Sequence, residues 1–203
     1  MEGNLEDPDQ YGVIPRAAQS IFDALQSSHY IETKVSCSYL EIYNEELSDL
    51  LVTNHSKKLD IINGGAKQGV HCRGLEQIPV QSAQDVLQLM QSAVQTRRVG
   101  ETSMNKQSSR SHCIFTMRVE TKKKLPDGSV FEAQGKLHMV DLAGSESAKT
   151  ATLEQSSAKQ QATREQERRN INKSLLALGR VISMLKEQSD TNKKTAIIPY
   201  RYV

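Results

Sequence analysis

The sequence predicts an α/β domain, and three observations carry that expectation. Apolar residues recur at helical steps in Ile14, Ala17, Ala18, Ile21, Phe22 and Leu25, and again in Val86, Leu87, Met90, Ala93 and Val94. Alternation of apolar and polar residues marks Lys34 to Tyr43 and Cys113 to Val119 as strands. Two polar loops, Asn105 to His112 and Asp141 to Glu146, stand at the ends of such strands.

The elements follow in order. Pro15 suits a helix start, because its missing N–H costs nothing in a first turn. The strand over Lys34 to Tyr43 carries Val35, Tyr39 and Ile42. Lys57 to Gly74 is glycine-rich and weakly patterned, which predicts short strands joined by a loop. Ser82 followed three residues later by Asp85 is a capping signature for the second helix. Beyond the first polar loop, Cys113, Phe115, Met117 and Val119 alternate with Arg118 and Glu120. Pro126-Asp127-Gly128-Ser129 is turn chemistry, and Gln134 to Val140 returns as the partner strand. That strand delivers Asp141 to the sheet edge, where open α/β sheets bind ligands. Residues 147–169 are polar and lack glycine, which predicts a mobile loop with some helical tendency. From Glu167 to Lys186, an apolar face of Ile171, Leu175, Leu178, Ile182 and Leu185 predicts a long amphipathic helix.

The two loops carry the chemistry. NKQSSRSH offers the hydroxyls of Ser108, Ser109 and Ser111, the amide of Asn105 and the guanidinium of Arg110. Hard oxygens of this kind suit Mg²⁺, which keeps most of its waters and takes few protein ligands. VDLAGSE places a carboxylate, Asp141, at a strand end, then Gly144, whose bare backbone lets an N–H approach a phosphate. Glu146 is an acid suited to pair with Arg110. Hung from neighbouring strands, both loops can sense one γ-phosphate.

At these residues the chain resembles the kinesin motor domain, whose switch I reads N-x-x-S-S-R-S-H and whose switch II reads D-L-A-G-S-E. GVIPR at Gly12 to Arg16, YLEIYNEELSDLL at Tyr39 to Leu51, NINKSLLAL at Asn170 to Leu178 and IPYR at Ile198 to Arg201 resemble further kinesin segments in kinesin order. Myosins share the S-S-R core without the remainder. A guanine-reading N-K-x-D, needed by GTPases, is not met, because Asn105-Lys106 continues as Gln107-Ser108. The resemblance implies a three-layer P-loop NTPase-like fold, a central mixed sheet flanked by helices. It spans residues 1–203, with switch I at 105–112, switch II at 141–146 and a relay-type helix at about 167–187. No G-x-x-x-x-G-K-S/T occurs, so a central piece of the domain is expected, without the N-terminal phosphate loop and the C-terminal helices. Residues 147–169 depart from the family in length and in lacking glycine, and Arg169 stands where a glycine often precedes N-I-N.

The resemblance also implies roles. ATP and Mg²⁺ would be the cofactors, with Ser109 on the metal and Asp141 holding one of its waters. Ser108 and Gly144 would meet the γ-phosphate, Arg110 and Glu146 would form a closing salt bridge, and Asn105 would support the nucleotide pocket. Lys173 and Arg180, with Arg164, Arg168 and Arg169, would face the acidic surface of tubulin. The implied activity is ATP hydrolysis coupled to movement along microtubules in the cytoplasmic cytoskeleton. The wording of GVIPRA, NKQSSRSH and LLALGRVISMLKE is most like the bipolar mitotic kinesin-5 class, which works on the spindle and oligomerises through a coiled coil outside these residues. A transport-type kinesin and a truncated, non-catalytic microtubule-binding fragment are the alternatives.

Composition agrees. A length of 203 residues suits one domain, and an aromatic share of 4% is low for a self-sufficient core. A net charge of +2 does not argue for nucleic acid. Cys37, Cys72 and Cys113 are odd in number and widely spaced, which fits a reducing compartment better than a disulfide framework or a metal site. No apolar run is long enough to span a bilayer and no signal peptide is present, so no membrane partner is expected.

Overall fold

The computed structural model describes residues 1–52, 57–64, 69–100, 110–145 and 158–191, with the side chains of 96–100, 158–161, 163, 164 and 191 left outside that description. Its elements are α1 (Val13–Ser27), β1 (Glu32–Tyr43), β2 (Glu46–Asp49), β3 (Asp60–Asn63), β4 (Val70–Arg73), β5 (Ile78–Val80), α2 (Ala83–Gly100), β6 (His112–Lys124), β7 (Val130–Asp141) and α3 (Ala158–Thr191). They fall into two units, Met1–Lys106 with His112–Leu142, and Gln107–Ser111 with Ala143–Val203.

The first unit is built on a sheet of order β2-β1-β6-β7, with β5 also paired to β1, while β3 and β4 form a separate two-stranded ladder. Every pairing among the described residues is antiparallel. β6 sets Phe115 opposite Tyr39 on one side and opposite Met139 on the other. Side chains alternate across a strand, so Cys113, Phe115 and Met117 share one face with Cys37 and Tyr39 of β1. That face buries against Ile14, Ala18 and Phe22 of α1 and Val86, Met90 and Ala93 of α2. Tyr39 and Phe115 meet edge to face, centroids 5.3 Å apart at 74°, a geometry that adds to their burial.

Local chemistry explains the connections. Asn44 and Glu45 both have positive φ, 50° and 68°, between the partners Tyr43 and Glu46. This is the tight hairpin whose twist matches that of its strands. In the β6–β7 turn Gly128 takes φ +86°, and the Asp127 carboxylate accepts from the N–H and hydroxyl of Ser129 at 2.9 and 2.6 Å. The expected cap of α2 is present: Ser82 Oγ accepts from Asp85 N at 3.1 Å, and Asp85 Oδ2 accepts from the N–H groups of Gln81 and Ser82. Those bonds, the one from Gln81 foremost, hold the Asp85 carboxyl below its usual range.

Two expectations are corrected in the second unit. α3 begins at Ala158, not near Glu167. Ala, Gln, Glu and Arg dominate 158–169, and these are strong helix formers even without an apolar stripe. The buried face is also rotated from the one expected. Ile171 and Val181 are buried, whereas Ile182 and Leu185 are 57% and 41% exposed. The inward line runs Glu167, Ile171, Ser174, Leu178, Val181, in steps of four, three, four and three.

Residues 1–12 close on themselves ahead of α1. Gly3 bridges to Tyr11, Gly12 N–H donates to the Glu2 carbonyl at 2.9 Å, and Ile14 N–H donates to the Met1 carbonyl at 3.3 Å. Arg16, the last residue of GVIPR, donates to the carbonyls of Tyr11 and Asp9 at 2.8 and 3.0 Å. Its place in the motif is therefore to tie this loop to α1. A Cβ on Gly12 would lie 2.0 Å from the Met1 carbonyl oxygen, closer than any side chain approaches backbone. Gly12→Ala is expected to expel the Met1–Glu2 segment and lower stability by about 1–3 kcal/mol. Amide exchange checks it: the N–H groups of residue 12 and Ile14 lose protection while those of β6 keep theirs.

Candidate functional site

β6 starts directly after Arg110-Ser111, and β7 stops at Asp141. Cys113 is the register partner of Asp141. The end of one polar motif and the start of the other are thus about 5 Å apart, one strand spacing. The sequence foresaw this hairpin, and pairing realises it.

Asn105, Ser108, Ser109 and Glu146 lie outside the described residues. Asp141 is described, with its carboxylate 58% exposed and one oxygen 3.6 Å from the Met1 ammonium. Tyr39 holds the neighbouring residue, its hydroxyl donating to Glu2 Oε1 at 2.7 Å. Gly144 is exposed and Ala143 beside it is buried. Among the described residues no group of three or more His, Cys, Asp or Glu gathers around a metal position.

Arg110 belongs to the second unit. Its Nη1 donates to Glu167 Oε2 at 3.1 Å, with side-chain exposures of 21% and 6%. The expected partner Glu146 is not among the described residues, and the sequence reading treated Glu167 only as the start of a helix. A signal for it existed. Glu167 lies four residues before Ile171, in phase with the buried line of α3. An acid at such a position needs a partner, since a buried charge is costly unless paired.

The expected track-facing bases are distributed along α3. Lys173 and Arg180 are exposed. Arg168 Nη2 lies 2.6 Å and Arg169 Nε 3.4 Å from Glu165 Oε1, and Arg168 foremost keeps the Glu165 carboxyl below its usual range. The side chain of Arg164 is outside the described residues.

His112 closes the first motif at the start of β6. Burial pushes its imidazole below the ordinary value, so the ring is neutral at pH 7. Unfolding restores the usual proton affinity. The stability given by the neutral ring is therefore full above the ordinary imidazole pKa and is lost as pH falls through the depressed one. The unfolding midpoint is expected to drop between pH 7 and 5, and His112→Asn should flatten that slope. An unchanged slope in a denaturant series across this range would remove His112 as a cause.

Comparison with known proteins gives the family. The kinesin motor domain family matches residues 1–202. Kinesin-like protein KIN-5A of Arabidopsis thaliana is 42% identical over 205 residues, covering 98% of this chain and 18% of the relative. Klp61F of Drosophila melanogaster is 40% identical over 202 residues, covering 99% and 18%. The chromosome-associated kinesin KIF4 of Gallus gallus is 41% identical over 196 residues, covering 96% and 15%. A solved structure of a fast kinesin superposes with a TM-score of 0.76 at 38% identity, covering 99% of this chain and 52% of that one. The chain thus spans under a fifth of these curated relatives and about half of the solved chain. With the match over nearly every residue and the fold in agreement, the chain belongs to the kinesin motor domain family.

Proposed function

We infer that these residues are part of an ATP-hydrolysing motor that moves along microtubules, of the mitotic kinesin-5 type. The observation that carries the reading is the register of Cys113 with Asp141, which ties the two nucleotide-sensing motifs to one hairpin. Phosphoryl transfer to water depends on charge neutralisation and placement of the attacking water. A hairpin that pairs the strands from which both motifs leave suits that task.

Residue roles follow from chemistry and family position. Ser108 and the Gly144 backbone would meet the γ-phosphate, with Asn105 beside the nucleotide. Arg110, with Glu146, would close the site and help order the lytic water. The donor types fit Mg²⁺: Ser109 would supply a hydroxyl and Asp141 an exposed carboxylate. Bound there, the ion would neutralise charge developing on the phosphates. Lys173 and Arg180 would present positive charge to the acidic tubulin surface, and Arg164, Arg168 and Arg169 would add to it. Similarity to KIN-5 relatives favours the kinesin-5 type. KIF4 at equal identity keeps other motor classes in view. The sequence carries no G-x-x-x-x-G-K-S/T, which favours a second reading of these 203 residues by themselves, as a microtubule-binding piece without turnover.

The test uses a motor domain completed with the kinesin-5 segments that this chain does not span. Microtubule-stimulated ATPase is expected, and Arg110→Ala should lower kcat by about 10²–10³ while ATP still binds, as when a group acting in the transition state is lost. Near-normal turnover of that variant would sink the assigned role.

A second measurement addresses the track. Exposed charges act over about 8 Å at physiological salt. Charge reversal at Lys173 and Arg180 should raise the microtubule concentration for half-maximal ATPase about 3- to 10-fold and flatten its salt dependence. Basal ATPase should stay near its starting level. An unchanged salt series would return both bases to an ordinary solvated helix face.

A further inference from the structure

We propose that Glu167 is a positioning residue for Arg110, through which α3 holds the switch I arginine. The inference rests on the motor reading above and adds a residue and a route of regulation to it.

The geometry is specific. Glu167 is 5% exposed overall, in a helix whose surrounding residues are mostly polar. Its Oε2 accepts from Arg110 Nη1 at 3.1 Å, and Arg110 is itself largely covered. The bases adjacent on the helix, Arg168 and Arg169, pair with Glu165 one turn back. The acid at the buried phase of α3 is thus engaged by a base from a distant stretch of chain, 57 residues away. Arginine stays charged throughout the working pH range and presents a planar fork of five donors. A single carboxylate can therefore fix one edge of the guanidinium.

Position on the helix gives the pair its consequence. Glu167 and Ile171 are one turn apart on the same inward line, and the exposed bases Lys173 and Arg180 follow on the same rigid element. A shift of α3 along or about its axis moves the carboxylate that orients Arg110. Load or binding at the exposed side of α3 thereby reaches the arginine that closes the nucleotide site. Conversely, a phosphate that draws Arg110 away from Glu167 releases this helix. The pair is a two-state element that both sites bias, which is what physical coupling requires.

The experiment has two arms. In the 203-residue chain, Glu167→Gln, Arg110→Gln and the double variant are compared by denaturant unfolding. The double variant should lose clearly less than the sum of the singles, since contacting residues are not additive; strict additivity overturns the pairing. In the completed motor, Glu167→Gln should lower microtubule-stimulated kcat by about tenfold, with the KM for ATP changed less than about threefold, the size expected of a lost coupling. Glu167→Asp, which keeps the charge, should recover part of the rate. A merely structural role would lower the melting temperature and the folded fraction but leave the ratio of stimulated to basal turnover per folded motor unchanged. That result overturns the proposal. A wild-type completed motor without microtubule-stimulated ATPase would instead overturn the motor reading, whatever the unfolding cycle gives.

Discussion

β6 is hydrogen-bonded along both edges, to β1 over residues 112–122 and to β7 over residues 113–124. Nearly every other feature of the first unit is placed by that double pairing. A slip of one residue would turn Phe115 and Met117 away from α1 and α2 and bring Ile114 and Thr116 inward. The same slip would move Asp141 off Cys113 and separate the two motifs. Core packing and the placement of Asp141 are therefore secured by one set of hydrogen bonds. Apolar burial supplies the energy that selects the register, and the register supplies the geometry.

Much of this was legible because periodicity and turn chemistry agreed. α1 combines an apolar pattern with an early proline, α2 with a cap and the β6–β7 hairpin with a turn, so local and global preferences point the same way. The family match shows the chain to be kinesin sequence, as the resemblance implied. α3 was harder. Its first turns carry helix-forming residues without an apolar stripe, so pattern alone placed the start too late. Its inward line includes Glu167, and a search for apolar periodicity steps over a carboxylate. Ile182 and Leu185 completed a plausible stripe in sequence, yet Val181 is the buried residue. A helix with few large apolar residues leaves its rotation to tertiary contacts that no local rule contains. The partner of Arg110 belongs to the same class: it is 57 residues away, and spacing cannot nominate it.

Electrostatics in α3 divides its bases by how they are already used. Arg168 and Arg169 lean on Glu165, an exposed arrangement of the kind worth a few tenths of a kcal/mol per pair. Such pairs are readily exchanged for another acid. Lys173 and Arg180 stand further along the exposed side. An acidic partner of this helix would compete with pairs that its bases already make.

β7 carries one more property. Among the described residues it pairs with β6 alone, and Val130, Phe131, Leu137 and Val140 are exposed along it. Its outer margin is a row of amide donors and acceptors twelve residues long, a template on which any extended segment can lay down a further strand. Glu132 and Lys136 are charges on that margin that discourage copies from stacking on one another. Among the described residues, sheet topology as much as surface composition thus governs how this margin would meet another extended segment.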